Sequence, residues 1–293
     1  MQAPIFAIVT PFNQDLTVDY EALRDYLAFL SDYDIKSIVA NGTTGEFASL
    51  SWDEKKDILS FCRENFDGHI VNHISSCCLA EILNFAGQTR EFCDSMLVLP
   101  PFYYYGATPQ GLCEFFKAVL DALPDDLYIY NFPAHTGNTI PAEIITHLAK
   151  TYKHLKGLKD SSGDINFAAD VKSRIRDFNV YSGTDFNVRG LFEKGLDGTV
   201  CGSSNVIPDI VKLLYQAVHK KNADLIDFYQ DLLDRWSLFR QPLGMLDMPI
   251  IKTGLSYRIS GFPIHVRPPL QPCFPNKEIQ SVLHTLVSEI KKR

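Results

Sequence analysis

Short β-branched runs alternate with longer amphipathic stretches eight times in roughly the first 220 residues, and that rhythm leaves few folds open. Residues 5–9, Ile5-Phe6-Ala7-Ile8-Val9, read as a strand. Residues 20–30 read as a helix with Leu23, Tyr26, Leu27 and Leu30 on one face. Residues 37–40 form the next strand, and Ser51-Trp52-Asp53-Glu54 carries the capping signature of the helix behind it. Further strands are predicted at 69–74, 95–99, 127–130, 155–159, 180–182 and 198–201, with helices between them and another after Pro208. Strand–helix alternation implies parallel pairing. Eight units of about 27 residues suit an α/β protein of the closed (β/α)8 barrel type, which takes ~250 residues. A doubly wound open sheet is the alternative. It usually carries a glycine-rich turn after its first strand, and here that turn is Thr10-Pro11-Phe12.

The barrel is assigned to residues 1–221. Residues 222–293 read as a helical extension packed on it, with apolar helical patterns at 225–239 and 279–290. A proline-rich stretch, 263–275, separates the two patterns and should not be helical. The net charge of −7 disfavours nucleic-acid binding, which needs a basic stripe. Hydrophobic residues at 46% and charged residues at 22% exclude disorder. No apolar run approaches the ~20 residues of a membrane span. The start, Met1-Gln2-Ala3-Pro4, lacks a signal-peptide pattern, so a cytoplasmic location is expected. The seven cysteines, at 62, 77, 78, 93, 113, 201 and 273, have neither zinc-site nor C-x-x-C spacing. They are expected to be reduced thiols. The sequon Asn41-Gly42-Thr43 carries no weight without secretion.

Active sites of such barrels lie at the carboxyl ends of the strands. The segments expected there are polar and aromatic. They are Gly42-Thr43-Thr44-Gly45-Glu46, Phe102-Tyr103-Tyr104-Tyr105, Tyr130-Asn131-Phe132-Pro133, Gly157-Leu158-Lys159-Asp160, Ser182-Gly183-Thr184-Asp185 and Cys201-Gly202-Ser203-Ser204. Lys159 ends a strand whose alternate residues face the barrel. Burial disfavours an ammonium, and a neutral amine attacks a ketone to form a Schiff base. Tyr130 ends the neighbouring strand, where a phenol can pass protons to and from the reacting oxygen. The two threonines between glycines offer hydroxyl and backbone donors to a small carboxylate. Each motif also has an ordinary structural reading. Lys159 can pair with Asp160 at the rim, Tyr130 can simply pack, and the threonines can cap a tight turn.

Taken together, these motifs resemble the dihydrodipicolinate synthase / N-acetylneuraminate lyase family of Schiff-base-forming pyruvate lyases. The match extends from Ile8-Val9-Thr10-Pro11-Phe12 to the segment 200–208. The resemblance implies a (β/α)8 barrel with a C-terminal helical segment, a homotetramer, and no metal or cofactor. It makes Lys159 the Schiff-base lysine, Tyr130 the catalytic tyrosine, and Thr43 and Thr44 the residues that relay protons and bind the pyruvyl carboxylate. Tyr103 matches a tyrosine given across a dimer interface. Gly42, Gly183 and Val200 complete the expected substrate contacts.

Departures from the family pattern bear on the substrate. Dihydrodipicolinate synthases carry an arginine after the Y-N-x-P motif, and His135 stands in its place. Sialic acid lyases carry Gly-x-Asp-Glu after strand seven, and here the run is Gly183-Thr184-Asp185-Phe186. The remaining pattern looks most like the aldolases that cleave 2-keto-3-deoxy sugar acids to pyruvate and a hydroxyaldehyde, with His135, Asp185 and Ser204 as candidate readers of the sugar hydroxyls. Two alternatives stand beside it. One is another reaction on the same imine: dihydrodipicolinate synthesis, sialic acid cleavage or dehydration of a keto-deoxy acid. The other is a non-catalytic binder of pyruvate or a sugar acid.

Overall fold

A computed structural model describes residues 1–240 and 247–292. Eight parallel strands close into a barrel in chain order: β1 (Ile5–Ala7), β2 (Ser37–Ala40), β3 (His69–His73), β4 (Ser95–Val98), β5 (Leu127–Asn131), β6 (Leu155–Asp160), β7 (Asn179–Ser182) and β8 (Gly198–Cys201). β8 pairs with β1, Ile5 opposite Val200, which completes the ring. The barrel expected from the alternation is the observed one.

The two-residue period of a strand sorts each side chain to one of two cores. Ile129 and Leu158 point outward and join the cluster packed under the surrounding helices. Their neighbours Tyr128 and Tyr130 point inward, with Val39, Val71, Leu97, Tyr181 and Val200. Register places Tyr130, Lys159 and Tyr181 side by side on β5, β6 and β7. Lys159 therefore shares the inward face of the barrel with Tyr130.

The helices that cover the strands bury the faces their periodicity predicts. In α1 (Tyr20–Asp32) the buried residues are Leu23, Tyr26, Leu27 and Leu30. Ser51 caps α2 (Trp52–Asn65) through a reciprocal box with Glu54. The ring continues through α3 (Leu79–Thr89), α4 (Pro109–Ala122), the short α5 (Pro133–Thr136), α6 (Ala142–Thr151), α7 (Ile165–Arg174), α8 (Val188–Glu193) and α9 (Pro208–His219). Beyond it come α10 (Ala223–Arg240), α11 (Asp247–Ser256) and α12 (Lys277–Lys291). Arg235 of α10 forks onto both carboxylate oxygens of Glu289 in α12, at 2.9 and 3.0 Å. The proline-rich stretch 263–275 is non-helical, as expected.

The sequence pattern gives no sign of α11. From Met248 to Leu255 every residue of this helix is buried, so it has no polar face to set a period. Pro249 lies in its first turn, where a missing N–H costs nothing. Gly254 lets the helix approach Val206, whose methyl carbon would lie 2.8 Å from an added Cβ.

Two glycines test this packing. At Gly157 on β6, an added Cβ would meet the Asn179 carbonyl oxygen and the Tyr128 ring, the latter at 2.7 Å. At the exposed Gly87 in α3 it would meet nothing within 4 Å. Gly157→Ala is expected to cost about 1–3 kcal/mol by overpacking. Gly87→Ala is expected to add about 0.5–1 kcal/mol through helix propensity. Thermal unfolding should shift down for the first and up for the second.

Candidate active site

The carboxyl ends of the strands open into a cavity of about 350 Å3. Lys159 stands in its wall, 7% exposed, with Nζ 4.0 Å from the centroid of the Tyr130 ring. Among the described residues this amine has no ion pair and no hydrogen bond. The adjacent Asp160 does not neutralise it. Its carboxylate accepts from Asn131 Nδ2 at 2.7 Å and from Ser162 Oγ at 2.7 Å. Burial nevertheless raises the Asp160 carboxyl above its ordinary range, against those hydrogen bonds. The Tyr130 hydroxyl accepts from Ser161 Oγ at 3.4 Å. An unpaired amine beside a phenol, facing an open cavity, is the arrangement that imine chemistry needs.

Thr43 and Thr44 line the same cavity. Their loop is a tight turn in which the Gly42 carbonyl accepts from the N–H groups of Gly45 and Phe47, at 3.0 and 3.3 Å. Thr10 Oγ1 donates to the Gly45 carbonyl at 2.8 Å. Thr44 packs directly over Gly202 of the loop after β8, where an added Cβ would stand 2.6 Å from Thr44 Cγ2. Gly202 thus gives the second threonine its place.

The same cavity is also lined by Phe132, His135, Thr184, Asp247 and Met248. The His135 ring stacks on Phe132 with centroids 4.0 Å apart. Burial lowers the His135 pKa below its ordinary 6.5, with Asp247 opposing the shift, so the imidazole is neutral at pH 7. Asp247 pairs with Arg240 at 2.5 Å. Among the described residues no arginine lines the cavity, and its charged groups are Lys159, Asp160 and Asp247.

Over residues 1–290 the chain matches the model of the dihydrodipicolinate synthetase family. The chain belongs to this family. A 4-hydroxy-tetrahydrodipicolinate synthase of Staphylococcus saprophyticus is 30% identical over 267 residues, which cover 86% of this chain and 87% of the relative. The dihydrodipicolinate synthase of Aquifex aeolicus superposes with a TM-score of 0.86 at 24% identity, covering 100% of this chain and 98% of the other. A 2-keto-3-deoxygluconate aldolase from Picrophilus torridus gives 0.84 at 25% identity, covering 93% and 98%. Members of the dihydrodipicolinate synthetase family are pyruvate-dependent carbon–carbon lyases that work through a lysine imine, and this chain is one of them.

Not every residue singled out by the family pattern reaches the cavity. Lys159, Tyr130, Thr43, Thr44, His135, Gly183 and Val200 line it. Gly42 lies beneath the threonine loop and contributes through its carbonyl. Asp185 and Ser204 are both buried, and the Ser204 hydroxyl donates to the Asp185 carboxylate at 2.9 Å. Neither is among the residues that line the cavity. Tyr103 lies outside the cavity of its own chain. Tyr103, Tyr104 and Tyr105 are 76%, 68% and 82% exposed. Their backbone is pinned, since Asn138 Nδ2 donates to the Pro101 and Tyr104 carbonyls at 2.8 and 3.0 Å.

His73, Asp247 and Met248 carry no motif or spacing that marks them in the sequence. His73 ends β3 and lies edge-on to Tyr130, ring centroids 6.1 Å apart. Ser75 Oγ accepts from the Leu99 N–H at 2.7 Å, so its own proton goes to His73 Nε2 at 2.8 Å. His73 Nδ1–H then donates to the Asn41 carbonyl at 3.0 Å. Burial first, then the charge of Lys159, pushes the imidazole pKa down to about 3. A histidine held neutral in the fold and free to protonate when unfolded gives stability that is complete above pH ~6.5 and is lost as the pH falls toward 3, by about 1.4 kcal/mol per unit. His73→Gln is expected to flatten the fall in urea-unfolding stability between pH 6.5 and 4.5 by about that slope. Parallel curves for the two proteins would show that His73 is protonated in the native state.

Proposed function

We propose that this chain is a class I aldolase that cleaves a 2-keto-3-deoxy sugar acid to pyruvate and a short hydroxyaldehyde. The observation that carries the reading is the make-up of the cavity: an unpaired lysine amine shares it with His135, Thr184 and Asp247, and no arginine is among the described residues that line it. The Lys159 amine attacks the C2 ketone, and Tyr130 carries the proton to the departing hydroxyl, so water leaves and a protonated imine forms. Thr43 and Thr44 hold the carboxylate. The Tyr130 phenolate left by that transfer takes the C4 hydroxyl proton as the C3–C4 bond breaks, which releases the aldehyde and leaves the bond's electron pair in the enamine. Protonation at C3 and hydrolysis release pyruvate and regenerate the amine. A neutral His135 offers one donor and one acceptor, which suits hydroxyls. Asp247, paired with Arg240, adds an acceptor. The enzyme is read as cytoplasmic and free of metal and cofactor.

A second reading has the relatives' name on its side: condensation of pyruvate with aspartate semialdehyde, as 4-hydroxy-tetrahydrodipicolinate synthases are named for. That substrate brings a carboxylate that an arginine would hold by paired charge-assisted hydrogen bonds, worth on the order of 1.5–3 kcal/mol. Without one, kcat/KM for release of pyruvate from 2-keto-3-deoxygluconate is expected to exceed that for the condensation by at least tenfold. A condensation faster by tenfold restores the synthase reading. Borohydride reduction with pyruvate, followed by peptide mapping, is expected to add mass at Lys159. No adduct would leave only a non-catalytic binder.

The three exposed tyrosines support a shared site in a homotetramer, Tyr103 entering the cavity of a second copy. Lys159→Ala and Tyr103→Phe subunits, each inactive alone, are expected to regain partial activity when mixed under conditions of subunit exchange. Exchange without recovery places Tyr103 outside the partner's site.

A further inference from the structure

Glu46 directly follows the threonine loop and adopts left-handed backbone geometry, φ 59°. Its side chain and that of Lys252 in α11 are both 0% exposed and meet at 2.5 Å. Lys252 Nζ also donates to the His265 carbonyl at 2.7 Å and lies 4.2 Å from the centre of the Phe12 ring. The second Glu46 oxygen accepts from the Arg267 N–H at 3.0 Å. Arg267 in turn reaches the Ser49 carbonyl, at 2.7 Å, and both carboxylate oxygens of Glu54 in the first turn of α2.

Such a network is costly to desolvate, and a packed apolar pair of the same volume often stabilises a fold at least as well. What an ion pair adds is direction, because its hydrogen bonds fix two backbones in one register. Here the two backbones are informative. One is the loop that presents Thr43 and Thr44. The other is the helix whose first residues, Asp247 and Met248, line the same cavity, one turn before Lys252. The loop itself is held by Thr10 through the Gly45 carbonyl and by Glu46 through Lys252.

We propose that Glu46 and Lys252 are positioning residues, which hold the threonine loop at the spacing a keto-acid carboxylate requires and tie that loop to the helix whose first residues line the same cavity. Neither touches the reacting atoms. The inference rests on the reading that Thr43 and Thr44 bind the carboxylate and Lys159 forms the imine. It is independent of which aldehyde is the partner. Carbonyl compounds that carry a carboxylate should therefore feel the pair, and those without one should not.

The test uses full-length wild type, Glu46→Gln, Lys252→Met and the double variant, which leaves neither charge orphaned. Each is titrated with pyruvate and, separately, with acetaldehyde, reduced with borohydride, and mapped at Lys159. The expected result in the variants is a tenfold or larger rise in the pyruvate concentration that half-saturates trapping, with acetaldehyde trapping within twofold of wild type. An equal loss for both carbonyls overturns the proposal, since the pair would then matter only for the fold. A double variant within twofold of wild type toward pyruvate overturns it as well. So does the absence of a cooperative thermal transition in all three variants, which would make the pair a requirement of folding. If wild type itself forms no pyruvate adduct at Lys159, the imine reading fails and takes the proposal with it. Wild-type trapping with unaffected variants removes the proposal alone.

Discussion

Everything in this molecule that bears on chemistry depends on the alternation of side chains along closed, parallel strands. Leu158 and Ile129 must face the helices, so Lys159 and Tyr130 must face the barrel. Shifting either strand by one residue would exchange them. The apolar residues that would then enter the barrel, and the charge that would enter the helical layer, make such a slip costly. The placement of the amine is thus fixed by the burial of its neighbours more than by any contact it makes.

Three buried lysines show how differently the same group can be accommodated. Lys252 has a carboxylate, a carbonyl and a ring around it, although burial still pulls its pKa down to about 8. Lys55 lies over the Trp52 ring at 4.0 Å, near the Phe47 ring and within the field of Glu81, and burial brings it to about 8 as well. Lys159 alone of the three lines the cavity, with a phenol ring as its neighbour. A structural lysine is surrounded by acceptors or aromatic faces on the protein side. A nucleophilic one must keep a side open for the carbon it attacks.

The barrel and half of the site were legible in the sequence for definite reasons. Strand and helix periods differ, and the eight repeats left little room for another topology. Leu23, Tyr26, Leu27 and Leu30 could be named because α1 has one wet face. The helix carrying Asp247, Met248 and Lys252 could not, because burial on every side erases the period that reveals a helix. His73 was equally hidden, since its meaning comes from Asn41, Ser75 and Leu99, brought together only by the fold. Asp185 and Ser204 are candidate readers of sugar hydroxyls in the sequence, and in the structure the Ser204 hydroxyl donates to the Asp185 carboxylate. Sequence position placed them on the right rim but left open which way each side chain turns.

The residues that line the cavity form two groups, which come from two kinds of element. The first comes from β5, β6 and the threonine loop, where hydrogen bonds and barrel register leave little freedom. The second comes from the short helix after β5 and from the start of α11. There His135 stacks on Phe132, and Asp247 is held by Arg240. A single substitution at 135 exchanges a neutral ring for a cation without disturbing the barrel. Asp247 works against that exchange, because an arginine introduced at 135 would find a carboxylate in the protein before it found one on a substrate. His135 and Asp247, which line one cavity, come from parts of the sequence more than a hundred residues apart.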